Sequence, residues 1–227
     1  MNITTQLRNG LLLTMLATAC SGAFAAESAD LSVKGVIRPS ACSIALSNNG
    51  TVDYGTISAK SLSATDVTKL PDREVTMTIN CDAATKVGFL VTDNRAGTES
   101  YIVNAVDPDA NLAPPLGLGA VDGKNLGGYG IKALVADATA DGAPVGGLVT
   151  ERQGEQGNFA PLSEYGNYVV TIWPVSWSDT DGGTPHAYKT ISQVLRIVGA
   201  LNSTAKLPSL TSNVELDGSA TISVVYL

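Results

Sequence analysis

Apolar residues recur at every second position along this chain, in short runs that end at Gly, Pro, Asn or Asp. Residues 31–37, 74–79, 87–91, 129–135, 168–173, 191–198 and 214–226 carry the pattern. Side chains alternate faces along a strand, so period two predicts strands buried on one side. Helix formers seldom combine at a period of three to four. Short strands separated by turn residues predict an all-β chain, an antiparallel β-sandwich. Three stretches, 95–125, 137–161 and 178–185, carry few strand cues. Pro108, Pro114 and Pro115 fall in the first of them. They predict long loops on one sandwich, since no biased linker or internal repeat divides the chain.

The first 25 residues have the order of a secretory signal. Arg8 is the only charge before Glu27, an apolar run covers 11–19, and Ala23-Phe24-Ala25 offers a small-x-small cut. The run is too short to span a bilayer. Cys20 goes with the discarded segment, because Ala17 stands where a lipoprotein cut usually has Leu. About 200 residues remain, enough to bury a core in one domain. The net charge of −7 becomes more negative once Arg8 is lost. An acidic surface argues against nucleic acid or anionic membrane as a partner. Cys42 and Cys81 then form an even pair in an exported chain and are expected to be joined, the alternative being two buried free thiols. Closing a loop of that length stabilises a fold by about 4 kcal/mol on the chain-entropy model.

Catalytic signatures are sparse. His186 is the single histidine, and no Gly-x-Ser-x-Gly elbow accompanies it. Asp179-Thr180-Asp181-Gly182 is similar in outline to a calcium loop but lacks the Glu that should follow. Gly117-Leu118-Gly119 has no third glycine at dinucleotide-binding spacing. The chain is expected to be no enzyme and to carry no cofactor or metal.

Both ends carry the most informative patterns. From Val214 to Tyr226 every even-numbered residue is apolar or Gly, and the odd positions are mostly polar, with Val225 an exception. Near the other end Leu31, Val33, Gly35 and Ile37 share one face, and Ser32, Lys34 and Arg38 the other. A mid-strand Gly costs stability unless something crowds it, which suits a strand that enters a groove with one shallow pocket. Five features keep a common order: Gly35 ahead of Cys42, Val52-x-x-Gly55-x-Ile57, Val75 to Cys81, Gly130-Ile131-Lys132 followed by Asp141-Gly142, and the penultimate Tyr226.

Together these resemble the subunits of chaperone–usher pili, in particular the longer fimbrial-like secreted proteins of that family. The resemblance implies an incomplete immunoglobulin-like antiparallel β-sandwich, completed by a donor strand and carrying long central loops. It implies a signal peptide at 1–25, a donor-strand extension at 26–40 presenting Leu31, Val33, Gly35 and Ile37, and a pilin-like domain at 41–227. It places an acceptor groove and chaperone contact at Ala220, Ile222, Val224, Tyr226 and Leu227. The implied partners are a periplasmic chaperone that also grips the C-terminal carboxylate, an outer-membrane usher and neighbouring subunits. The implied destination is an adhesive cell-surface fimbria. A second reading is a self-contained exported module that binds carbohydrate or another surface ligand through Trp173, Trp177, Tyr165, Tyr168 and Tyr188. In that reading Trp173 belongs to the core and Trp177, beside Ser178-Asp179, to the surface. An exported hydrolase ranks third.

Overall fold

Strand β1 (Cys42–Leu46) and the short β2 (Thr68–Lys69) precede β3 (Arg73–Asp93), a strand of 21 residues that serves two sheets. The structure, a computed structural model, describes residues 29–37, 41–152 and 155–227. The signal-peptide segment, Cys20 and the ends of the 26–40 extension lie outside those residues. The chain divides into two units, Met1–Arg38 and Pro39–Leu227. In the first, residues 29–37 form no strand, and Leu31, Val33 and Ile37 are 88–99% exposed.

The second unit is an antiparallel β-sandwich. After β3 come β4 (Leu116–Gly117), β5 (Ala120–Val121), β6 (Lys124–Asn125), β7 (Gly127–Ala140) and β8 (Ala143–Pro144). Then follow β9 (Gly147–Arg152), β10 (Glu155–Pro161), β11 (Val175–Ser178), β12 (Ala187–Leu201) and β13 (Ala220–Tyr226). The helical elements among the described residues are short 3-10 turns. In the first half of β3, residues 73–80 and, past a register shift, 85–86 pair with β12, and 77–81 pair on the other side with β1. β12 continues to β7, which takes β4 and β8. The second half of β3, residues 87–93, pairs with β13, and Gly88 and Phe89 pair with β11 on the other side. β11 leads on to β9 and β10. Asp82, Ala83 and Ala84 are exposed at the irregularity in the β12 pairing, and from Val87 onward β3 belongs to the other sheet.

The alternation predicted for 74–79 and 87–91 is what lets one strand feed one core twice. Met77 and Ile79 from the first half, and Val87, Phe89 and Val91 from the second, are all buried. Trp177 lies on Phe89 with ring centroids 5.6 Å apart. Its indole N–H donates to Gln193 Oε1 at 3.2 Å, and Gln193 Nε2 donates to the carbonyls of Leu134 and Val194. This buried amide is therefore satisfied, as a core polar group must be. Cys42 and Cys81 are joined, with Cα atoms 4.0 Å apart across β1 and β3. The Asp122-Gly123 and Asp141-Gly142 turns, all four residues at positive φ, close the β5–β6 and β7–β8 hairpins.

Two expectations are corrected. The loop expected at 137–161 contains the end of β7 and strands β8, β9 and β10. Gly147 through Thr150 of β9 are all buried, so they show no alternation, and a glycine heads the run. The strand expected at 168–173 is an isolated bridge at Tyr168 followed by a turn, with Trp173 N–H donating to the Val170 carbonyl at 3.1 Å. Buried Tyr168, Val169 and Val170 instead fill the core from a loop.

Candidate functional site

β1 and β13 are the outer strands of their sheets, and each pairs only with β3 among the described residues. Backbone parity fixes what their outer edges present. In β1 the Ala41 carbonyl accepts from Asp82 N–H, so odd residues bond β3. In β13 the Ser219 carbonyl accepts from Asn94 N–H, and Leu227 N–H donates to Lys86 O, so odd residues again bond β3. The even residues, Cys42, Ile44 and Leu46 on one side and Ala220, Ile222, Val224 and Tyr226 on the other, turn their backbone groups to the free edges. Cys42, Ile44, Leu46, Ala220, Ile222 and Val224 also send half-buried side chains onto the core. Thr221 and Ser223 face solvent, as the alternation predicted. Tyr226 is 56% exposed and Leu227 43%.

Where the chain has left β1 and has not yet entered β13, residues 52–62 and 207–216 flank a cleft of about 480 Å³. One wall is Val52, Tyr54 and Ile57, from the extended but unpaired segment 51–57. The other is Leu210, Val214 and Leu216. Segment 213–219 continues the alternation of β13 without a strand assignment, so the predicted 214–226 strand is regular only over Ala220–Tyr226. It is nevertheless anchored. Arg95 donates through Nε and one terminal nitrogen to both Asp217 carboxylate oxygens at 2.8 Å, and Asp217 N–H donates to Leu118 O at 3.0 Å. The ion pair holds the Asp217 carboxyl below the ordinary carboxylate value. Tyr54 is shifted upward, chiefly by burial. The Val52–Ile57 wall was visible in the sequence only as a motif, without a structural role.

The 95–125 stretch, expected as a loop, also holds two 3-10 turns and the two-residue strands β4, β5 and β6, and it is pinned to the sheet. Tyr168 O–H donates to Asp107 Oδ2 at 2.9 Å, and Lys132 Nζ reaches Asp107 at 3.1 Å and Asp109 at 2.9 Å. Gly130 makes room for this, since a Cβ there would sit 2.5 Å from the Tyr168 ring. Burial alone would raise Asp107, yet the hydrogen bonds from Tyr168, Lys132 and the Asp109 amide hold it below the ordinary value. A depressed carboxylate contributes stability that is present above the unfolded pKa and lost as pH falls through the folded one. Asp107→Asn is expected to lower unfolding stability by about 1–3 kcal/mol at neutral pH. The difference from wild type should shrink below about pH 4. Urea unfolding of both proteins at the two pH values checks this, and a difference that persists unchanged in acid would refute the assignment.

The aromatic candidates are reversed from expectation. Trp177 is fully buried and Tyr168 nearly so. Trp173 lies in the turn, half-buried, edge-on to half-buried Tyr165 with centroids 5.3 Å apart. Tyr188 stacks beside His186, whose exposed ring lies 3.6 Å from Asp179. The five rings thus form no single platform.

The fold defines a class: an antiparallel β-sandwich in which β1 and β13 each leave one backbone edge without a strand partner among the described residues. Comparison with known proteins adds one family model and two relatives. A family model described as "Protein of unknown function (DUF1120)" matches residues 31–130. Two proteins of Escherichia coli strain K12 align over nearly the full chain. "Uncharacterized protein YhcF" is 26% identical, covering 96% of this chain and 98% of its own. "Protein GltF" is 28% identical, covering 97% and 98%.

Proposed function

We propose that this chain is a structural subunit of a chaperone–usher fimbria, polymerising by donor-strand complementation rather than acting as an enzyme. The observation that carries the reading is the parity of β1 and β13. Both turn apolar side chains inward and free backbone groups outward at the same residues. A strand laid between them would satisfy both ladders and cover Ile44, Ile222 and Val224 in one step. Neither edge carries a charge or a proline, whereas the opposite edge strand, β10, ends at Pro161 and breaks register between Glu155 and Phe159. An unprotected edge is a liability unless it has an intended partner. Residues 29–37 of a second copy supply the matching chemistry, with Leu31, Val33 and Ile37 on one face and exposed.

In this reading a periplasmic chaperone covers the gap first. An outer-membrane usher then orders the exchange for a neighbour's 26–40 segment, and the filament reaches the cell surface to support adhesion. The Cys42–Cys81 bond suits such an oxidising route. Removing residues 26–40 tests the proposal. The mature full chain should self-associate once freed of its chaperone, while the shortened chain should accept a strand but never extend a polymer. Size-exclusion profiles that are identical for the two chains would overturn the reading.

A further inference from the structure

We infer that Tyr226 is a latch that closes one end of the gap in the partnerless chain and must let go when a strand enters. The inference rests on the acceptor-gap reading above and adds a regulatory element to it. Cys42 N–H is an edge donor with no strand to pair with, and it donates to the Tyr226 phenolic oxygen at 2.9 Å. The phenol thus stands where a carbonyl of an added strand would stand. The reach is made from the other edge, across the gap, by a side chain whose register partner on β3 is Val87.

A strand paired on both sides needs about 10 Å between its neighbours, twice the interstrand spacing. The Cα atoms of β1 and β13 come within 8 Å of one another, too close for a strand between them. At the other end the walls containing Tyr54 and Val214 stand apart around the cleft. The two edges are thus tied at Tyr226 and Cys42, and the cleft lies beyond their other ends. The Tyr226 ring is still 56% exposed, so packing does not hold it there. Its hydroxyl is the polar tie between the edges. The latch also satisfies one donor of an edge that would otherwise invite indiscriminate pairing.

An incoming strand must widen this end and replace the phenol as acceptor for Cys42 N–H. The hydrogen bond exists before insertion and not after it, so it slows entry without holding the strand once seated. Tyr226→Phe keeps the ring and removes only the acceptor. With dilute full chain and a fluorescent peptide of residues 29–40, association is expected to speed up about two- to tenfold, the range for one net hydrogen bond. Dissociation should not change. Hydrogen exchange at the Cys42 amide should accelerate by a similar factor in the empty chain and match wild type once the peptide is bound. Faster dissociation with unchanged association would make the hydroxyl an ordinary stabilising contact and overturn the latch. So would Cys42 exchange that ignores the substitution. Failure of the wild-type chain to capture the peptide at all would instead bring down the acceptor reading and the latch with it.

Discussion

Val224→Asp is expected to abolish capture of a donor strand, while Ser223→Asp, one residue away, leaves it within about 0.5 kcal/mol of wild type. The two positions have opposite environments. Val224 faces the gap, half-buried, directly across from the fully buried Phe89, whereas Ser223 faces solvent. A carboxylate at 224 still reaches water in the empty chain, so the fold should lose only about 1–3 kcal/mol there. A seated strand removes that water and strands the charge beside its apolar face, a further cost of several kcal/mol. The substitution therefore separates an open gap from a complete sandwich. In a complete sandwich the whole penalty falls on folding and none on capture. Urea unfolding of the empty chain and peptide titration of the same sample measure the two parts. A Val224→Asp chain that unfolds early but binds the peptide normally would contradict the gap.

What could be seen in the sequence follows from how many faces of each strand are covered. The first half of β3 and most of β12 are buried mainly on one face, and their period-two patterns were legible. β9 and β11 are short and buried on both faces, and their Gly, Ser and Thr residues gave no alternation to read. The Tyr168–Trp173 run is rich in β-branched and aromatic residues, which predicted a strand. Tertiary packing overrode propensity there, and Gly166 and Asn167 at positive φ turn the chain into a loop. That single error also exchanged the expected places of Trp173 and Trp177. The disulfide was legible from cysteine parity and the expected export alone. The inner face of the C-terminal strand was legible from alternation, but its partner was not, because periodicity says which face is apolar and not what covers it. The opposite wall, Val52 to Ile57, lies outside any strand, so only the resemblance marked it.

A peptide of residues 29–40 is expected to raise the melting temperature of the chaperone-freed chain by about 5–10 °C at a hundredfold excess over its Kd. Binding to the folded form alone at that excess adds about 2.7 kcal/mol. A domain of this size gains about 2–4 °C per kcal/mol. The apolar face of the peptide should carry the effect. Replacing Leu31, Val33 and Ile37 by Ser removes the side chains that would fill the gap, each worth about 1.5–3 kcal/mol on full burial, and should erase the shift. Replacing Lys34 by Ser changes the opposite face and should leave the shift intact. Gly35 gives the sharpest control. It has no side chain to bury, and Gly35→Trp would force a large ring between the inward positions at Val33 and Ile37. If a seated strand brings residue 35 against the core between Ile222 and Ile44, that peptide should fail although it is more apolar than the original. Indiscriminate hydrophobic binding predicts the reverse for Gly35, with the Trp peptide strongest. A melting curve unmoved by the unmodified peptide at saturation, or raised most by the Trp variant, would remove the shape-specific gap that the pilus assignment requires.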